Sequence, residues 1–187
     1  MYNFFVIQKL KMNVYSVLRT TKVSTEVATK EIEDVSLSNA VTTEQIVIVD
    51  IQADSKEQAV RLLAERLVAE GRVTEIEPYL EAVAKREEHF PTGIEGGIAI
   101  PHAQSDYVTI PSVAVATTAT GIDFGADDGP SNLIFLIAAP AKGEGNAHLE
   151  ILAKLARKVM NEEFRETLRA EKNPAEIAAI ITREVQG

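Results

Sequence analysis

Apolar and polar positions along the chain follow two periods, and together they predict alternating blocks of strand and helix. Residues 46–51 (Ile-Val-Ile-Val-Asp-Ile) are an almost continuous β-branched run, the pattern of a buried strand. A helix is predicted to start at Ser55, with Gln58 three residues later in a capping-box arrangement. Val60, Leu63 and Leu67 form its apolar stripe, and Gly71 stops it. A second helix is predicted over 75–88, with Leu80 and Val83 inward and Arg86 near its end. Short strands are predicted at 98–100, 113–119 and 133–138, punctuated by Gly121 and the Asp127-Asp128-Gly129-Pro130 turn.

Three helices are predicted to close the chain. Leu149, Leu152, Leu155 and Val159 recur at helical spacing over 147–160, and a second helix covers 162–170. The third takes Asn173 as N-cap, Pro174 at its first position and Glu176 at its third. Helices before and after a group of strands predict a sheet covered on both faces. The expected fold class is mixed α and β (α+β), a three-layer α/β/α sandwich. Because the order is not strict β-α-β, the central β-sheet should be mixed, not wholly parallel. Residues 1–42 show no clear period and are expected to be an N-terminal extension, partly disordered, ahead of a domain at 43–187.

Composition narrows the functional classes. A chain of 187 residues with 45% hydrophobic content suits one domain with a real core. A net charge of -9 argues against nucleic acid as a partner, since phosphate backbones require basic patches. With no cysteine there is no disulfide framework, thiolate nucleophile or Cys-based zinc site. No stretch has the apolar length to cross a membrane, and the opening cluster Met1-Tyr-Asn-Phe-Phe-Val-Ile is too short for a signal-peptide core. A cytoplasmic protein is expected. Any service to membrane transport would come without direct membrane insertion.

Candidate chemistry centres on Gly96-Gly97-Ile98-Ala99-Ile100-Pro101-His102. Pro101 cannot donate to a sheet ladder and biases Ile100 toward extended geometry. An abrupt strand end is therefore expected, with His102 held on a stiff turn. Two preceding glycines let backbone come close to something there. By itself a histidine after a strand is more often an ordinary loop residue. The chain has two other histidines. His148 falls in the first turn of a predicted helix that Asn146 can cap, where free N–H groups and the helix dipole favour anions. A surface histidine at a helix start fits that position equally. Arg86 alone reads as a solvated cation at a helix C-terminus, and His89, just beyond, as a helix-end surface residue.

Other motifs are missing. Gly143-x-Gly145 continues as Asn-Ala-His, so the dinucleotide fingerprint fails. There is no G-x-x-x-x-G-K-[ST] loop, no G-x-S-x-G elbow and no H-E-x-x-H helix.

The run Gly97-Ile98-Ala99-Ile100-Pro101-His102 resembles the active-site signature of the enzyme IIA proteins of the bacterial sugar phosphotransferase system, in the fructose/mannitol class. The resemblance covers roughly residues 43–183. It implies the same three-layer fold and a phosphoryl-carrier function. His102 would take a phosphoryl group from the carrier protein HPr and pass it to a cysteine of enzyme IIB, which serves the membrane sugar permease. Family members carry a second histidine and an arginine at the places of His148 and Arg86, as donors to the phosphoryl group. No cofactor and no metal are implied, and His89 receives no role. The stretch 122–129 (Ile-Asp-Phe-Gly-Ala-Asp-Asp-Gly) resembles the fructose branch in particular. Ala103-Gln104-Ser105 departs from relatives, which often show a basic residue soon after the histidine; the departure bears on substrate branch and partner choice. Uptake of a sugar, with fructose as the expected substrate, is the expected role. The alternatives are a nitrogen-related regulatory enzyme IIA, which uses the same phosphohistidine as a switch, and a non-catalytic scaffold, which the intact trio argues against.

Overall fold

The computed structural model describes residues 40–141 and 147–186, and of 147–152 and 186 the backbone alone. The extension expected at 1–42 lies almost wholly outside the described residues, as does the expected Asn146 cap. From Ala40 onward the unit is built around a six-stranded mixed sheet.

The strands are β1 (Val47–Ile48), β2 (Gly93–Ile94), β3 (Ile98–Ala99), β4 (His102–Ser105), β5 (Ser112–Ile122) and β6 (Ser131–Pro140). The helices are α1 (Lys56–Ala69), α2 (Ile76–His89), α3 (Ala147–Val159), α4 (Glu162–Ala170) and α5 (Pro174–Gln186). The sheet order is β1-β5-β6-β3-β2, with β4 also pairing β6. The β5–β6 and β2–β3 pairs are antiparallel, and the β1–β5, β3–β6 and β4–β6 pairs parallel. This is the expected mixed sheet between helical layers.

Strands buried on both faces read as continuous apolar runs, and β5 and β6 show why. Ala114, Ala116, Ile134, Leu136 and Ala138 point into one core with Leu63, Leu67, Tyr79 and Val83 of α1 and α2. Val113, Val115, Leu133, Phe135 and Ile137 point into the other, with Leu155, Leu168, Ile177 and Ile181 of α3, α4 and α5. Successive residues of a strand face opposite ways, so one uninterrupted sequence serves two cores.

Local signals worked at the helix ends. The Ser55 side chain accepts the Gln58 N–H, and the Asn173 side chain accepts from Ala175. Two strand readings needed correction. Of the run 46–51 only Val47–Ile48 is strand, because a 3₁₀ turn holds Glu44–Ile46 and Asp50 adopts φ 58. The Asp50 carboxylate accepts the Ala119 N–H at 3.2 Å, and its own N–H donates to Thr117 Oγ1 at 3.1 Å. An Asp tolerates that left-handed geometry when such local hydrogen bonds are available. The second correction concerns Pro101. Strand β3 does end ahead of it, at Ala99, but pairing with β6 resumes at His102 as β4, in the same parallel register. Proline removes a donor but leaves its carbonyl, and Pro101 O accepts the Ile137 N–H at 2.9 Å. The ladder therefore passes across the proline. The sequence reading also missed β2, a two-residue strand.

The glycines ahead of β3 have a packing role. Gly97 has φ 70, and a Cβ there would stand 3.1 Å from the Arg169 guanidinium and the Asn132 side chain. The close approach expected at this turn is thus made by α4 of the same chain.

Tyr79 supplies a pH-dependent stability. It is fully buried, its hydroxyl donates to Ile137 O at 3.2 Å, and burial pushes its pKa well above the ordinary 10.0. A folded-state pKa above the unfolded one gives stability that is whole below pH 10 and is lost as pH rises past it. Chemical denaturation from pH 8 to 11 should show Tyr79→Phe losing about 1 kcal/mol at pH 8. Above pH 10 the variant should lack a downward slope of up to about 1.4 kcal/mol per pH unit that the parent has from this group. Parallel curves for the two proteins would contradict this assignment.

Candidate functional site

His102 opens β4, directly opposite Ile137 of β6. The proline turn and the parallel ladder fix its backbone, and two hydrogen bonds fix its ring. Nδ1 lies 2.8 Å from the carbonyl of Ile100, and Nε2 lies 3.1 Å from Nε of Arg86. The partners determine where the ring proton sits. A carbonyl can only accept and a guanidinium can only donate, so Nδ1 carries the hydrogen and Nε2 the lone pair. The two bonds fit one tautomer of the ring, with the Nε2 lone pair aimed at an arginine.

Arg86 reaches this point from the last turn of α2. Its Nη1 donates to the carbonyl of Phe90, four residues on, at 3.0 Å. That bond turns the side chain back over the helix end and leaves Nε directed at His102. The guanidinium both caps a free carbonyl at the helix C-terminus and is half-buried against the histidine.

Both residues line an open cavity of about 800 Å³ between α2 and the β4–β6 edge. Lys85, Arg86, His89 and Phe90 form the helix wall, and His102 and Gln104 part of the sheet wall. No carboxylate is among its described lining residues, although the chain as a whole carries a net charge of -9. With Lys85 and Arg86 in it and no carboxylate among its described lining residues, the cavity suits an anion. Phe90, at its edge, is 70% exposed, one of two large apolar side chains so exposed among the described residues.

The structure brings Arg86 and His102 together. The backbone of His148 lies in the first turn of α3, and its side chain lies outside the described residues. His89, read from sequence as a surface residue, is exposed as expected but also lines the cavity. Its Nδ1 donates to the Lys85 carbonyl at 2.6 Å. Helical phase could have found it, because residues 85, 86 and 89 share one face. Among the described residues no cluster of three His, Asp or Glu could hold a metal ion.

An imidazole held at both nitrogens, a guanidinium on its Nε2 and a cavity lined by Lys85 and Arg86 suit a phosphoryl acceptor. The family model for the phosphoenolpyruvate-dependent sugar phosphotransferase system, EIIA 2, matches residues 40–184. The chain belongs to this EIIA family. A fructose-specific EIIA component of the same system from Haloferax volcanii is 41% identical over 136 residues, 72% of this chain and 88% of that protein. Several relatives are much longer, and of those the chain spans between 16% and 20%. Among solved structures, the nitrogen regulatory protein IIA-Ntr from Neisseria meningitidis superposes with a TM-score of 0.68 at 30% identity, covering 76% of this chain and 97% of that one. A mannitol enzyme IIA from Escherichia coli, solved in complex with phosphorylated enzyme IIB, superposes with a TM-score of 0.61 at 27% identity, covering 73% and 94%. As an EIIA component the chain is part of a phosphotransferase, and among its described residues no helix is long and apolar enough to cross a membrane.

Proposed function

We propose that residues 43–187 form a cytoplasmic phosphoryl-carrier domain that takes a phosphoryl group from phosphorylated HPr onto Nε2 of His102 and passes it to a cysteine of an enzyme IIB. The observation that carries this reading is the pair of bonds on His102, with Nδ1–H held by Ile100 O and the Nε2 lone pair met by Arg86. In the first transfer the Nε2–P bond forms as the N–P bond of the donor breaks, and the donor imidazole recovers its lone pair. In the second, a thiolate forms the S–P bond and Nε2 recovers its own. Nδ1 keeps its hydrogen on the Ile100 carbonyl through both steps.

The incoming phosphoryl group takes the place of the Arg86 Nε–H at Nε2. The guanidinium then turns its planar set of donors to the phosphoryl oxygens. Charge in the transition state is spread over those oxygens, so donors already in place lower the barrier without reorganising. His148, at the start of α3, is the second donor in this scheme. Donor and acceptor are both proteins, which fits an open cavity with exposed Phe90 at its rim as an apolar contact.

The substrate branch proposed is fructose uptake through enzyme IIB and its membrane permease. The stretch 122–129 and the name of the Haloferax volcanii relative both support it. A regulatory role is the second reading, favoured by the structural likeness to the nitrogen regulatory protein. The hand-off separates the two. Phosphorylated protein mixed with the enzyme IIB proteins of its own cell should lose its label to one of them, and fructose phosphate should accumulate once the permease is added. Retention of the label with every enzyme IIB would replace the uptake role by the regulatory one.

A further inference from the structure

Arg86 and the next residue, Glu87, line different cavities on α2. Glu87 points away from the His102 cavity, into a second one of about 440 Å³ between α1 and α2. There its carboxylate turns onto the segment that follows the helix. Oε2 accepts the Thr92 hydroxyl at 2.7 Å and Oε1 accepts the Thr92 N–H at 3.1 Å. Thr92 is 5% exposed and the Glu87 side chain 11%, so neither can exchange these bonds for water at no cost. Lys56 of α1 lies 3.6 Å from Oε1 and balances the charge.

The clamped segment supports the side chains of both His102 and Arg86. Thr92 O accepts the Ile100 N–H at 3.0 Å, and Ile100 O holds His102 Nδ1. Two residues earlier, Phe90 O holds Arg86 Nη1, and Arg86 Nε meets His102 Nε2. Hydrogen bonds from both imidazole nitrogens therefore lead back to residues 90–92. Downstream the chain is pinned separately, by the Gly93 N–H on Phe124 O at 2.9 Å. Loss of the clamp would thus loosen residues 90–92 while the sheet beyond them stays anchored.

We propose that Glu87, acting through Thr92, is a positioning residue that sets the tautomer of His102 and the aim of Arg86. The consequence for transfer rests on His102 being the phosphoryl acceptor; the effect on the ring itself does not. A carboxylate suits the task because it accepts two hydrogen bonds from one residue at once, both charge-assisted.

The test uses the full chain with Glu87→Ala, Glu87→Gln, Lys56→Ala and Thr92→Val. The His102 ring is read by ¹⁵N NMR, and transfer from phosphorylated HPr is followed as kcat and KM. In the parent, Nδ1 should be protonated and Nε2 bare. Glu87→Ala should give a mixture of tautomers and a kcat lower by about 10- to 100-fold, since a displacement near 1 Å is enough for such a loss, with KM nearly unchanged. Glu87→Gln should restore both readouts, because its amide oxygen can accept the Thr92 N–H while its NH₂ donates to the hydroxyl. Lys56→Ala should match the parent, which separates the clamp from the ion pair. Thr92→Val removes one of the two bonds with little change of shape and should shift the tautomer part of the way, even if the alanine variant folds poorly. The proposal is overturned if Glu87→Ala or Thr92→Val keeps the parent's ring spectrum, or if Gln and Ala at position 87 are equally impaired. A parent that shows the expected tautomer but takes no label on His102 would leave the clamp standing and count against the carrier function instead.

Discussion

Replacing His102 by alanine should abolish phosphoryl acceptance while leaving the fold intact. In the proposed reaction the nitrogen lost is the nucleophile itself, and removing a nucleophile from a preorganised site lowers rate by more than about 10³-fold. The fold should survive because the residue is only half-buried. What holds this part of β4 is the backbone bond from Ile137 to Pro101, together with buried Ala103. Circular dichroism and thermal melting should therefore overlay with the parent, within about 1 kcal/mol of stability. Steady labelling from phosphorylated HPr should fall to background. A His102→Ala protein that labels at a rate near the parent's would place the acceptor elsewhere. His89, the other imidazole described in the cavity, would be the first to examine.

The second largest effect is expected at Arg86. Its guanidinium meets the Nε2 lone pair at rest and, in the proposed reaction, meets the phosphoryl oxygens during transfer. Truncation to alanine removes that donor and lets the imidazole rotate, and losing one preorganised donor costs about 10²- to 10³-fold in kcat. Lysine should rescue little of this. Two N–H groups of one planar guanidinium are used here at once, Nη1 on the Phe90 carbonyl and Nε on the histidine. An ammonium is a point charge on a flexible stem and cannot keep both directions. Stopped-flow transfer at saturating donor should show Arg86→Ala and Arg86→Lys both strongly slowed. An Arg86→Lys variant with near-parental kcat would mean that charge alone suffices and that the fork geometry is immaterial.

Much of this architecture was legible along the chain because its signals are local. Capping residues Ser55 and Asn173, the stop at Gly71 and the helical spacing of Leu155 and Val159 each report on a few neighbouring residues. What was not legible depends on contacts between distant segments. The brevity of β1 follows from Asp50 bonding across to Thr117 and Ala119. The resumption of pairing past Pro101 follows from the Ile137 N–H on β6, distant in sequence. A proline is a reliable break only where the neighbouring strand needs its missing donor, and here that strand needs its carbonyl. At the site, His102 stood out by its own sequence context, whereas Arg86 looked like any helix-end cation until its resemblance to a family residue was considered. The clamp of Glu87 on Thr92 had no sequence signal at all. Glu-x-x-x-x-Thr matches no helix cap, and its importance arises only from the tertiary bonds that Phe90 and Thr92 make to the site.

The central claim is that Nε2 of His102 accepts the phosphoryl group. The direct measurement is ³¹P and ¹⁵N NMR of the labelled protein after reaction with phosphorylated HPr, kept at neutral to alkaline pH because the P–N bond is acid-labile. Fragment mass spectrometry of the same sample locates the residue. One phosphoryl group is expected, on His102, with phosphorus coupled to Nε2 and a proton retained on Nδ1. Phosphorus coupled to Nδ1, or a label carried by His89 or His148, would contradict the account.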